Sequence, residues 1–159
     1  MRELTVVNLS ALRALRGAAL DAPRRRVHRP LHRDAAGAPD YAAPLQALLV
    51  AGAPGTYVVP HRFDRDQCFA ALTGEWGFLF WNAQGQFVRA QVCAAGEVVH
   101  VPAGAGYHTW VCLRPGTLLE TLPGPHVDDR HDLPNYPAEG TEAAARVLRS
   151  WEHALGGRP

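Results

Sequence analysis

Between positions 44 and 122 the chain alternates short apolar runs with polar, glycine- and proline-rich breaks. The runs are LQALLVA, TYVVPH, QCFAAL, EWGFLFW, FVRAQV, EVVHV, YHTWVCL and TLLETL. The breaks fall at 52–55, 62–66, 73–74, 82–86, 94–96, 102–106 and 114–116. Each run has the length of a strand and none carries a helical period. The pattern predicts eight short strands in an antiparallel sandwich or barrel. EWGFLFW is apolar on both faces, so its outer face must also be covered. A dimer that pairs sheets would do this, as would a terminal helix.

Outside this region the pattern changes. Ser10 is placed to cap a short helix bearing Leu12, Leu15, Ala19 and Leu20 on one side, closed by Pro23 and the run Arg24-Arg25-Arg26. Residues 27–43 read as loop. After Pro123-Gly124-Pro125 a polar stretch reads as coil wrapping the barrel. Thr141 then opens a helix with Ala144, Leu148, Trp151 and Leu155 on one face, ended by Gly156-Gly157. One domain is expected, with an arm at 1–43, a barrel at 44–122 and a wrap with helix at 123–159. No internal repeat of 20–50 residues is visible.

Composition removes several function classes. With 159 residues, 47% hydrophobic and 19% charged, the chain has material for one core and is not a disordered segment. The net charge of +1 argues against nucleic acid or an anionic membrane as partner. All 16 basic residues are arginine, so arginine runs carry little positional signal. Cys68, Cys93 and Cys112 form no CxxC and read as buried free thiols, which suits a reducing cytoplasm. No apolar run reaches the ~20 residues of a membrane span. Arg13 and Arg16 interrupt the apolar N-terminus, which argues against a signal peptide.

Two histidines stand in strand settings. In TYVVPHRF, Tyr57, Val59, His61 and Phe63 alternate onto one face; in YHTWVC, His108 opens a strand after the turn at 102–104. Inward-pointing histidines of two strands can converge in a small barrel, and imidazole suits zinc, iron, copper and nickel. On spacing alone, a histidine near a strand end is more often hydrogen-bonded structure than a ligand. Glu120 shares a strand face with Leu118 and Leu122, so it either meets an arginine or works in the pocket as an acid or base. The arginine-rich lead contains Arg26, His28 and His32, which either clamp an anion or form a solvated surface. Alternation leaves the direction of His100 open.

These residues resemble the cupin superfamily. Its first motif, G-x5-H-x-H-x3,4-E-x6-G, is similar to the segment from Gly55 through His61, Phe63 and Gln67 to Gly74. Its second, G-x5-P-x-G-x2-H-x3-N, is similar to Gly96 through Pro102, Gly104 and His108 to Cys112, with one extra residue before the histidine and Cys112 where Asn is usual. RRRVHRPLH, PGTYVVPHR, PGTLLETLPGPH and LPNYPAEG further resemble the WbuC-family cupin fold metalloproteins, over residues 24–140. The resemblance implies an all-β, cupin-type antiparallel jelly-roll barrel with short N- and C-terminal helices.

It also implies one divalent metal, zinc, iron, manganese or nickel, with ligand positions at His61, Phe63, Gln67 and His108. A phenyl ring binds no metal and an amide lacks the expected charge. His61, Gln67 and His108 remain as ligands, and a metal-free pocket is the alternative. The expected function is a metal-dependent isomerase, epimerase or oxygenase acting on a small anionic or sugar-like molecule, with Glu120 or Tyr57 moving a proton and Arg26, His28 and His32 binding the ligand. A link to surface-polysaccharide metabolism is implied as well. The alternative is a small-molecule binding module. A cytoplasmic homodimer is expected.

Overall fold

The alternating runs form one antiparallel sheet in a computed structural model that describes residues 7–156. The elements are α1 (Leu9–Asp21), β1 (Arg26–Pro30), β2 (Leu45–Gly52), β3 (His61–Arg62), β4 (Gln67–Trp81), β5 (Phe87–Ala94), β6 (Val98–Val101), β7 (Tyr107–Pro123), β8 (His131–Asp132) and α2 (Glu142–Ala154). Neighbouring strands run β1-β2-β7-β3-β8, and β4 pairs with β5, β6 and β7. This is the antiparallel jelly-roll barrel that the motifs imply, with helices only near the ends.

Four of the expected strands merge into two. QCFAAL and EWGFLFW are both β4, and YHTWVCL and TLLETL are both β7. The glycines at 74 and 116 mark bends, not hairpins, and the β4–β7 register shifts there. Gly74 has φ +80°, and a Cβ on it would lie 2.6 Å from the Cα of Gly116. Only glycine allows the two backbones to touch and both strands to bend around the barrel. In sequence such a glycine looks the same as one in a turn.

Two further expectations are corrected. TYVVPH is strand only from His61, because Pro60 has no N–H for a ladder. The segment read as loop contains β1, which pairs with β2 from Arg26↔Gly52 to Pro30↔Leu48. β1 ends the strand path, and an edge strand tolerates charge without any apolar period.

Two apolar clusters flank the sheet. Val50, Phe69, Trp76, Phe78, Trp110 and Leu118 fill the barrel interior. Leu79, Trp81 and Val111 face outward and are covered by Ala144, Leu148 and Trp151 of α2. Trp151 lies 5.7 Å from Trp81, and a Leu155 methyl would collide with any Cβ at Gly77. The C-terminal helix therefore covers the doubly apolar strand. That removes the ground on which the homodimer was expected.

Thr141 caps α2, its hydroxyl accepting from the Ala144 N–H at 3.1 Å. At α1 the cap is Asn8, not Ser10: Asn8 Oδ1 accepts from the Ala11 N–H at 2.9 Å. Gly157, half of the expected helix stop, and the first six residues, where the signal-peptide question begins, lie outside the described residues. Among the described residues no helix is long and apolar enough to cross a membrane.

Candidate functional site

His61 opens β3, His108 lies near the start of β7, and the two are direct register partners. Their rings stand 4.9 Å apart at 50°, and the residues are 5% and 1% exposed. Phe69 of the interior cluster lies 5.9 Å from the His108 ring, so the pair faces the barrel interior. His61 Nδ1 is 2.9 Å from the Val59 carbonyl oxygen, which only accepts. The proton therefore sits on Nδ1 and the Nε2 lone pair is free, a common arrangement for a metal-bound histidine. Both ring nitrogens of His108 are buried without a protein partner. Such an orphaned group costs about 1–3 kcal/mol, which a bound ligand can offset.

Burial holds both imidazoles neutral. It pushes His61 down to about 3, with Arg130 and Arg26 adding to the effect and the Val59 carbonyl opposing it. His108 is held well below the ordinary histidine range by burial, then by His61 and Arg130.

Gln67 and Glu120 form a second pair. β4 and β7 bring them together, and Gln67 Nε2 donates to Glu120 Oε1 at 2.9 Å. Phe69 links this pair to the imidazoles, since its backbone pairs with Glu120 and its ring reaches His108. Burial pushes the Glu120 carboxyl up to about 7, against the opposing influence of the Gln67 amide and Arg130. Phe63 stands beside the site, its ring edge-on to His61 at 5.4 Å.

The donor set fits a borderline divalent metal in part. Two neutral imidazoles, one with both nitrogens orphaned, are suitable ligands, while Gln67 is engaged through its amide nitrogen with Glu120. Among the described residues no group of three or more His, Cys, Asp or Glu is assembled to hold a metal.

The other candidates separate. His28 shares a cross-strand row with Val50 and Leu118 of the interior cluster, and part of its surface stays open to solvent on β1. Its surroundings push it down to about 4, burial first and then Arg26, Arg130 and Arg24.

Three others have protein contacts of their own. Tyr57 lies in the outer cluster, stacked on Trp151 at 5.3 Å, with its hydroxyl donating to the Pro137 carbonyl at 3.0 Å. Burial pushes that hydroxyl up to about 12, and its hydrogen bond goes to the wrap and not to the imidazoles. The alternation that grouped Tyr57 with His61 fails because 56–60 is not strand.

Arg26 is not a free anion clamp. Its guanidinium donates to both carboxylate oxygens of Glu139 and to the Tyr57 carbonyl. His32 is held by β2, its Nδ1 accepting from the Ala47 N–H at 3.0 Å, while its buried Nε2 has no protein partner. His100 faces outward, exposed and 3.4 Å from Asp66.

Sequence reasoning missed Arg130. It acts on His28, His61, His108 and Glu120 together, yet lies in a stretch read as featureless coil. Only the pairing of β8 with β3 brings that stretch to the site.

Comparison with known proteins agrees with the fold. The polyketide cyclase RemF from Streptomyces resistomycificus is 18% identical, with 82% of this chain and 84% of that one covered and a TM-score of 0.56. A recombinant oxalate oxidase in complex with glycolate is 16% identical, covering 86% and 76% at TM-score 0.55. KdgF from a Halomonas species is 20% identical, covering 68% and 86% at TM-score 0.50. At such identities the likeness is one of fold, the cupin-type jelly roll. No curated protein matches the chain in sequence. One family model does, over residues 7–93, a span that takes in the arm, His61, Gln67 and the strands β1 to β5 up to Cys93, and the chain belongs to that family, described as Domain of unknown function (DUF6016).

Proposed function

We propose that the barrel interior is the active site of a small metal-dependent enzyme of isomerase, epimerase or oxygenase type. Its ligand is a small anionic or sugar-like molecule. The observation that carries this reading is the buried His61–His108 pair, in which His108 has no hydrogen-bond partner for either nitrogen. His61 and His108 would hold one divalent ion, with the Gln67 amide oxygen as third donor. Such an ion supplies Lewis acidity toward a carbonyl or hydroxyl oxygen. The protein's own part is to keep both imidazoles neutral, to exclude water through Phe63, Phe69 and Phe80, and to present the Glu120 carboxyl as the proton-handling group.

Similar barrels in RemF and oxalate oxidase support an enzyme of this fold. The segments similar to WbuC-family metalloproteins support the finer placement and its link to surface polysaccharide. Three free cysteines support a cytoplasmic setting.

A metal-free binding module is the second reading, favoured by Phe63 and Gln67 at the expected ligand positions and by the missing third strong donor. Elemental analysis of protein purified without a histidine tag separates the two. The enzyme reading expects one divalent ion per chain, lost in His61→Ala and His108→Ala. Protein that neither retains nor takes up zinc, iron, manganese or nickel supports the binding module instead.

A further inference from the structure

On the outer face of the sheet, away from the imidazole pair, Cys68 of β4 and His100 of β6 are direct register partners. Their chain neighbours fix the direction. Phe69 and Val99 pair in the same ladder and belong to the interior cluster, so Cys68 and His100 project outward. The Cβ atoms of directly opposed residues stand about 4.5–5.5 Å apart. Cys68 is partly buried between His100 and Thr121 of β7, and the His100 side chain is 58% exposed.

A carboxylate orients this imidazole. His100 Nε2 lies 3.4 Å from Asp66 Oδ2, while Asp66 Oδ1 accepts from the Ala103 N–H at 2.8 Å. A carboxylate only accepts, so Nε2 carries the ring proton and Nδ1 keeps its lone pair. Nδ1 is two bonds from its Cβ and the Cys68 Sγ is one, so side-chain rotation brings thiol and lone pair together across the ladder. Nothing else claims the sulfur: among the described residues the Cys68 thiol donates to no protein group. The other two cysteines are each 1% exposed, and Cys112 donates to the Arg114 carbonyl.

A thiol, a base and an orienting carboxylate are the parts of an activated nucleophile. We infer that Cys68 is a modification site, a surface thiol that His100 primes for exchange with a low-molecular-weight disulfide. In that exchange His100 Nδ1 takes the thiol proton and the Cys68 sulfur attacks one sulfur of the disulfide. The new S–S bond forms as that of the reagent breaks, and the departing thiolate takes the proton back from the imidazolium. The protein ends as a mixed disulfide and one small thiol is released, with no other oxidant needed. Asp66 is a positioning residue in this step. The site is independent of any ligand in the barrel.

Reaction of the native full chain with dithiodipyridine near neutral pH, followed by peptide mapping, tests the assignment. One thiol should react fast and map to Cys68, whereas Cys93 and Cys112 should react only after unfolding. His100→Ala should slow the Cys68 reaction about tenfold or more, and added imidazole should restore part of the rate. The sign separates chemistry from shielding, because removing a histidine that merely covered the thiol would speed the reaction. Asp66→Asn should slow it by a smaller factor at an unchanged melting temperature, and Asp66→Glu should recover part of the loss. Glutathione disulfide should give a mixed disulfide at Cys68 alone, and none in Cys68→Ser.

An unchanged or faster rate in His100→Ala overturns the inference, as does labelling that maps first to Cys93 or Cys112. So does a Cys68 rate no higher than that of an unstructured cysteine peptide, or a lack of mixed disulfide with glutathione disulfide.

Discussion

Gln67 shows how one side chain couples the metal question to the proton question. Its amide donates to Glu120. Gln67→Glu therefore adds the charge that the motif usually carries and also sets two carboxylates in contact. In the absence of metal this should cost about 1–3 kcal/mol at pH 8, since like charges cannot both ionise cheaply there. Zinc should reverse the loss. Phe63→His should cost less than a deep core change, because Phe63 is only partly buried, and should add an imidazole beside His61. Chelator competition should show tighter zinc binding in each variant, and tightest in the double. If neither variant exceeds the parent, these positions are not ligand positions.

The same site sets the pH dependence of the metal-free protein. His28, His61 and His108 are depressed, so the stability tied to their neutral forms is present above pH 6.5 and is lost as pH falls. Glu120 is raised from 4.5 to about 7, so its protonated form favours folding at low pH, and stability declines as pH rises between those values. Glu120→Gln should thus be more stable than the parent by about 1–3 kcal/mol at pH 8, with the gain absent at pH 4. Denaturant titrations at both values, in chelator, test this. An equal offset at the two pH values would refute it.

At the scale of elements, α2 is the lid of the outer core. Trp151 is 7% exposed and stacks on Tyr57, so Trp151→Ala should cost about 3–5 kcal/mol. Tyr57→Phe removes one hydrogen bond to Pro137 and should cost only about 1 kcal/mol. Ligand binding in the barrel should be unchanged in Tyr57→Phe, and a large loss of binding would return Tyr57 to the site. The sequence pattern was informative about strand material and about the buried face of α2. It was uninformative about β1, an edge strand without apolar period. It also misread the bends at Gly74 and Gly116 as turns, because a glycine states what the backbone may do and not which backbone it will meet.

For the whole molecule, the arm and the wrap close on each other through Arg26 and Glu139, residues 113 apart in sequence. The pair is mostly buried, at 11% and 23% side-chain exposure. Glu139→Gln should cost about 1–3 kcal/mol, more than a surface pair would. Amide exchange should quicken together in β1 and at 137–140. Faster exchange in the wrap alone would show that the pair does not join them.

The period-two alternation separated the two faces of the strands, because adjacent side chains on a strand take opposite sides. The alternation around His61 did not hold, since 56–60 is not strand, and the resemblance of the two motifs is what singled out His61 and His108. Only the tertiary structure decided that Tyr57 belongs to the outer core, that Arg26 is occupied by Glu139, and that the stretch carrying Arg130 returns beside His61. Local sequence encodes the face a side chain takes. The identity of its neighbours depends on register and on where distant segments return, and in a chain whose cations are all arginine no local signal marks the few that return to the site.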